Sequence, residues 1–328
     1  MRGANRLDRR ALGWLARRLY GRRTAEPNEA GRPERVLLVR VDERVGNLLG
    51  LQPVLDALGA HWPGLEVGLL SSTRSAQITA SLEGLARIHA IDKRWFFRHP
   101  GRWRRAVAEV RGCGYPVAVD LSAWHAFSFT HAALTFYSGA PVRIGYRREA
   151  PAGFLTHPVQ PGPAHEHELR QRMRLLAPLG IQADPPRLRT RLGLSAGEAM
   201  GAWLGDLHVA APRVGIWMGS RKLERRWPLP FYVQLARRLQ HKAGATLVAL
   251  WGPGEEALRD QLAAALPEGL VAAPATDLEQ LAGLIRQLDL VVTNDTGPMH
   301  LAIACQTPTV ALFASGDPRR WCHPYPQV

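Results

Sequence analysis

The feature that most constrains this chain is an alternation, run twice, of short β-rich segments with longer segments of helical length and spacing. In the first series "RVLLVRVD", "LEVGLLSS", "RIHAID", "PVAVDLSA" and "VRIGY" read as strands, and stretches between them, such as 46–62 and 100–113, have helical periodicity. In the second, "RVGIWMGS", "ATLVALWG", "GLVAAPA", "LDLVVTND" and "TPTVALFAS" read as strands, with helices beginning near Pro228, Pro253, Asp277 and Gly297. Such alternation demands a parallel sheet wrapped by helices, because parallel neighbours must be joined by a long crossover. The expected fold class is α/β, with two doubly wound Rossmann-like domains. At 328 residues, 46% of them hydrophobic, the chain is long enough for two cores. The boundaries read as a basic amphipathic segment and linker over 1–34, an N-terminal domain over 35–160, a connector over 161–190 containing the helical "HEHELRQRMRLLAPLG", and a C-terminal domain over 191–328. Ligands of this architecture bind at the carboxyl ends of the strands, in the cleft that two such domains enclose.

The most informative joint is "LDLVVTNDTGPMHLAIACQ", where strand gives way to helix at Asp295, Thr296 and Gly297. A helix start presents unpaired N–H groups and the positive end of the helix dipole, which favour an anion. Gly297 allows close approach of a phosphate, and Pro298 suits the first turn. The same residues also make an ordinary helix cap.

Charge narrows the class of partner. The formal net charge is +14, which implies a polyanionic neighbour: nucleic acid, an anionic membrane surface or a phosphorylated substrate. "MRGANRLDRRALGWLARRLYGRR" holds eight arginines against one aspartate, with Leu7, Ala11, Trp14, Leu15 and Leu19 at helical spacing, a pattern suited to an anionic lipid interface. No run of about 18 apolar residues occurs, and the first residues are too arginine-rich for a secretory signal, so a cytoplasmic protein is expected. Cys113, Cys305 and Cys322 are too widely spaced to suggest a disulfide framework or a zinc site.

With these motifs in place, the chain resembles glycosyltransferase family 9, the heptosyltransferases of lipopolysaccharide core assembly. The resemblance rests on "VVTNDTGPMHLAIACQTPTVALFASGDPRRW", on "VLLVRVDERVGNLLGLQPVLDALGAHWPGLEVGLL" and on "IWMGSRKLERRWPLPFYVQLARRL", in the family's order. It implies a GT-B fold, a nucleotide-diphosphate-sugar donor (ADP-heptose) held by the C-terminal domain, a phosphorylated glycolipid acceptor held by the N-terminal one, and inverting transfer without a metal or other cofactor. It also implies a peripheral enzyme at the inner face of the inner membrane, with no nucleic acid partner.

The residues fit that implication. No Asp-x-Asp occurs, so the leaving charge must meet cations and helix dipoles, and Arg221, Lys222, Arg225 and Arg226 supply the cations. Arg225 stands where the family usually places a lysine against the donor phosphates, Ser220 offers a hydroxyl to the same group, and Glu255 or Glu256 occupies the place of the family's ribose-binding acid. His300 belongs to the Asp-Thr-Gly-x-x-His run as a donor-site candidate or a packed histidine. The family's base, an aspartate after glycine, is replaced by Asn47 after Gly46. An amide cannot accept the proton, which leaves Asp42 or Glu43 as substitutes. For the acceptor, "DKRWFFRHPGRWRRAVAEVR" clusters Arg94, Arg98, Arg102 and Arg105 with Trp95, Phe96, Phe97 and Trp103, suited to a phosphorylated amphiphile. Two rival readings are a nucleotide-sugar 2-epimerase of the same architecture and a noncatalytic polyanion-binding homologue.

Overall fold

The structure, a computed structural model, describes residues 32–148 and 153–323. The basic amphipathic segment before Arg32 and the last residues from Pro324 lie outside the described residues. The described residues divide into two compact units, one made of those up to 43, 53–79 and 83–186, the other of 44–52, 80–82 and those from 187 on.

The first unit is built on six parallel strands, β1 (Arg35–Arg40), β2 (Glu66–Ser72), β3 (Leu85–Ile91), β4 (Val117–Asp120), β5 (Val142–Tyr146) and β6 (His157–Val159), in the order β3-β2-β1-β4-β5-β6. The strands read as near-continuous apolar runs because helices cover both faces of a parallel sheet. Val36 to Val39 of β1 are fully buried for that reason. β6 did not stand out in the sequence: it is three residues long, contains Pro158, and sits at the sheet edge, where a missing donor is tolerated.

The expected helix over 46–62 is two helices, α1 (Val45–Leu49) and α2 (Gln52–His61). The ladder stops at Gly50, and Pro53 has no N–H to carry it on. Then come α3 (Ala76–Ala80), α4 (Trp95–Arg98), α5 (Pro100–Gly112), α6 (Phe129–Tyr137) and α7 (Glu168–Arg174). Proline at the first position of α5 costs nothing, since that N–H would lack a helical partner anyway.

The second unit carries β7 (Arg213–Trp217), β8 (Thr246–Leu250), β9 (Leu270–Ala272), β10 (Leu290–Asn294) and β11 (Thr309–Leu312), all parallel, in the order β11-β10-β7-β8-β9. Its helices are α1, which belongs here although it follows β1 in the chain, and α8 (Gly197–Asp206), α9 (Leu229–Ala243), α10 (Glu256–Ala265), α11 (Leu278–Arg286), α12 (Gly297–Ala304) and α13 (Pro318–Trp321). Helix α11 starts where "DLEQ" predicts it: Asp277 accepts from the Gln280 N–H and the Gln280 side chain accepts from the Asp277 N–H. Helix α9 stops at Gly244, whose φ of 61° is one that glycine adopts without strain. Val214, Ile216, Tyr232, Ala236, Leu247, Leu262 and Val292 form the core of this unit. In each sheet the strand order reverses about the first strand, at β1/β4 and at β7/β10, and the carboxyl ends at such a reversal are where α/β folds bind ligands. Among the described residues, no helix is long and apolar enough to cross a membrane.

Candidate functional site

At the β7/β10 reversal, Asn294 closes β10 with a fully buried side chain. Its Nδ2 donates to the Met218 carbonyl at 2.7 Å, and its Oδ1 accepts from the Trp227 N–H at 3.0 Å. One amide therefore fixes the end of the β7 loop and the segment that leads into α9. In the sequence Asn294 shows only as a polar residue ending an apolar strand, and this role follows from its contacts with distant segments.

The next residue, Asp295, is 2% exposed, and its Oδ2 lies 2.9 Å from Nη1 of Arg225. The angle makes this an ion pair and not a hydrogen bond: Oδ2 has no hydrogen-bond donor, while the same Nη1 donates to the Asp295 carbonyl at 3.3 Å. Burial pushes the Asp295 carboxyl up from its ordinary value, and Arg225 and Lys222 pull it back. A Cβ on Gly316 would stand 2.3 Å from Oδ2, so the carboxylate occupies space that only a glycine there leaves open. Arg225 retains 28% side-chain exposure and keeps guanidinium donors beyond the one given to Asp295.

Thr296 caps α12 by backbone geometry alone; its side chain makes no cap hydrogen bond. Ser220 is buried, and its carbonyl accepts from Arg226 Nε at 2.9 Å, which folds the basic loop back on itself. Arg221 is exposed. Glu255, at the start of α10, places its carboxylate against Gly219, where a Cβ would meet it at 1.9 Å, and its Oε2 accepts from the Gly252 N–H at 3.2 Å. Burial raises the Glu255 carboxyl, opposed by that N–H and by Arg226. Glu256 is exposed, and backbone N–H groups of Glu256 and Gly254 hold its carboxyl below the ordinary range. Ser220, Arg225, Glu255, Asp295, Thr296 and Gly297 thus gather at the carboxyl ends of β7, β8 and β10 of one unit.

His300 lies in the interior of this unit at 8% exposure, its Nδ1 3.2 Å from Nε2 of His323 and its ring edge-on to Trp321. Gly46 of α1 packs directly on that ring: a Cβ there would lie 2.2 Å from Cδ2 of His300. Gly46→Ala is therefore expected to cost about 1–3 kcal/mol by overpacking. Thermal melts check this, and a double-mutant cycle with His300→Ala should return a coupling of about 1 kcal/mol or more. An unchanged melting temperature in Gly46→Ala would contradict the packing described. Asn47, one residue on, sits half-buried in α1.

In the first unit, the two carboxylates after β1 have separate surroundings. Asp42 Oδ2 accepts from Arg40 at 2.8 Å, and Oδ1 accepts from the Glu43 N–H at 2.8 Å. Arg40 is 4% exposed and also donates to the Leu121 carbonyl; burial lowers its pKa and Asp42 opposes the drop. Asp42 is thus the counter-ion of a buried guanidinium. Glu43 has 41% side-chain exposure, with Ser72 Oγ 3.5 Å and Arg74 Nη1 3.7 Å from its carboxylate. His131 fixes the chain just before them, at the end of β1: its Nε2 accepts the Val41 N–H at 3.0 Å, and burial lowers it to about 4, so it stays neutral.

The basic stretch divides by surroundings. Arg98, Arg102 and Arg105 are exposed, with the Arg102 guanidinium 5.9 Å from the Trp95 ring centroid. Arg94 is paired to Asp92, Nε to Oδ2 at 2.9 Å, and holds the Asp92 carboxyl well below its usual range. Trp103 is not part of an exposed platform with them: it packs into the core with Leu70, Ile91 and Val110, because it faces the sheet while Arg102, Arg104 and Arg105 face solvent. The Phe96 and Phe97 side chains lie outside the described residues.

Comparison with known proteins bears on the whole arrangement. A family model described as glycosyltransferase family 9 (heptosyltransferase) matches residues 103–327. Lipopolysaccharide heptosyltransferase 1 of Pseudomonas aeruginosa is 25% identical over 309 residues, covering 87% of this chain and 79% of its own. Among solved structures, the E. coli ADP-heptose lipopolysaccharide heptosyltransferase II superposes with a TM-score of 0.68 at 19% identity, covering 87% of this chain and 86% of that one. E. coli heptosyltransferase WaaC with ADP gives 0.69 at 20% identity, covering 88% and 89%. Both neighbours share the GT-B fold, two α/β units with parallel sheets.

Proposed function

This chain belongs to glycosyltransferase family 9 and is a glycosyltransferase, and from that premise we propose that it transfers heptose from ADP-heptose to a phosphorylated inner-core acceptor of lipopolysaccharide, by inversion and without a metal ion. The observation that carries the reading is the Arg225–Asp295 pair beside the Thr296–Gly297 helix start. A buried carboxylate orients the guanidinium, and its remaining N–H groups and the helix N–H groups are donors for two phosphates. The related structures support the donor: one is an ADP-heptose lipopolysaccharide heptosyltransferase and another holds ADP.

In this reading Ser220 and Arg221 extend the phosphate contacts and Glu255 holds the ribose hydroxyls, with Glu256 the more exposed alternative. His300 supports α12 from within. Arg94, Arg98, Arg102 and Arg105 serve the anionic acceptor and the membrane surface that presents it. Glu43 is the general base: Asp42 has both oxygens engaged by Arg40 and the Glu43 N–H, whereas the Glu43 carboxylate is open to solvent. Asn47, unable to take a proton, orients the acceptor hydroxyl.

Two measurements test the reading. A thermal-shift panel should show ADP-heptose alone raising the melting temperature, by about 2.7 kcal/mol of added stability at a ligand concentration 100 times Kd. Preference for a UDP- or GDP-sugar, or recovery of an epimerised donor as product, would overturn the substrate assignment. Transfer should also proceed at an unchanged rate after exhaustive EDTA treatment; activity that vanishes and returns with magnesium would overturn the metal-independent part.

A further inference from the structure

A second cluster of chemically capable groups lies at the other end of the first unit. Helix α5 runs back from the carboxyl end of β3 and delivers Cys113 to the amino ends of the strands, where Arg35, the first residue of β1, donates from Nη1 to the Cys113 carbonyl at 2.8 Å. The half-buried thiol Sγ lies 4.0 Å from Nε2 of His89, which is 3% exposed on the edge strand β3. Nδ1 of the same imidazole is 3.2 Å from the Glu109 carboxylate on the last turns of α5. A carboxylate only accepts, so Nδ1 carries the proton and Nε2 is the unprotonated nitrogen, accepting from the Tyr115 hydroxyl at 3.0 Å with the thiol 4.0 Å away. On the solvent side Arg87 Nη1 stands 3.6 Å from Sγ. The tyrosine is anchored: its hydroxyl fills the space that a Cβ on Gly68 would take, at 2.1 Å, and burial pushes it up to about 12, so it remains protonated.

Nucleophile, base and orienting carboxylate thus come in sequence, with a cation facing the sulfur, which is the general arrangement of an activated cysteine. The other two thiols lack it. Cys305 is buried and pushed up to about 12 by desolvation, and Cys322 is raised by burial as well.

We propose that Cys113 is a covalent modification site, undergoing reversible exchange with low-molecular-weight disulfides, with His89 as its base and Arg87 stabilising the charge on sulfur. At rest the thiol donates to the Glu109 carbonyl at 3.4 Å. In the exchange, Nε2 of His89 takes the thiol proton and Sγ attacks one sulfur of the incoming disulfide. That S–S bond breaks, a new one joins Cys113 to the attacked half, and the other half leaves as a thiolate that recovers the proton from His89. The incoming disulfide is the oxidant. No residue assigned to sugar transfer takes part.

The test uses the reduced full chain at neutral pH with 2,2′-dithiodipyridine, following thiopyridone release and mapping the labelled peptide by mass spectrometry. The first equivalent is expected on Cys113. His89→Gln should slow that phase about tenfold, below the range for a base in ideal contact because 4.0 Å is long for a proton transfer. Arg87→Gln, at an exposed position, should slow it severalfold with the melting temperature unchanged. The proposal is overturned if Cys322 or Cys305 takes the first equivalent, or if Cys113 reacts within twofold of the parent rate in both variants.

Discussion

Glu43→Gln is expected to lower kcat for sugar transfer by about 10²- to 10⁴-fold with little change in KM, the loss typical of a removed general base. Glutamine keeps the length and the polar contacts to Ser72 and Arg74 but cannot accept a proton. Asp42→Asn is the informative partner. It weakens the counter-ion of buried Arg40, so its main effect is on stability, with a smaller loss of rate through displacement of the Glu43 backbone that Asp42 Oδ1 holds. A fully active Glu43→Gln together with an inactive, well-folded Asp42→Asn would reverse the assignment.

Arg225→Ala is expected to reduce kcat/KM by about 10²- to 10³-fold, as when one preorganised donor to a developing anion is lost. Arg225→Lys should retain part of the rate, since it keeps the charge as a point and loses the planar fork. The alanine variant also leaves Asp295 buried without its cation, and the pH dependence follows in sign. Burial already raises the Asp295 carboxyl in the folded state, and losing Arg225 raises it further. The folded form then binds this proton more tightly than the unfolded form, so the stability that this carboxyl contributes is fully present at acid pH and is lost as pH rises through the raised folded value. Denaturant titrations of parent and variant should accordingly diverge with increasing pH. Parallel curves across the carboxylate range would show that the pair does not carry this coupling.

Much of this is legible in the sequence. Parallel strands covered on both faces leave apolar runs such as Val36 to Val39 that alternating strands would not, and Asp295 to Gly297 announces itself as a strand–helix joint. What escaped the sequence depends on contacts between distant segments. Asp42 and Glu43 are adjacent acids, and only the burial of Arg40 beneath the Leu121 carbonyl sets them apart. Trp103 looks like a partner of its neighbouring arginines until α5 turns it toward Ile91. Gly316 reads as a loop glycine, and its use as room for a carboxylate requires knowing where β11 ends relative to β10.

The seat of Gly46 on the His300 ring has a consequence for how such chains can be recombined. The short stretch 44–52 belongs with residues that follow 187, although well over a hundred positions separate them in the chain. A chimera spliced at the obvious junction near Pro186 would inherit the glycine from one parent and the imidazole beneath it from another. Exchange of halves among relatives should succeed only where both parents supply a matched pair, or where the small early stretch travels with the later half.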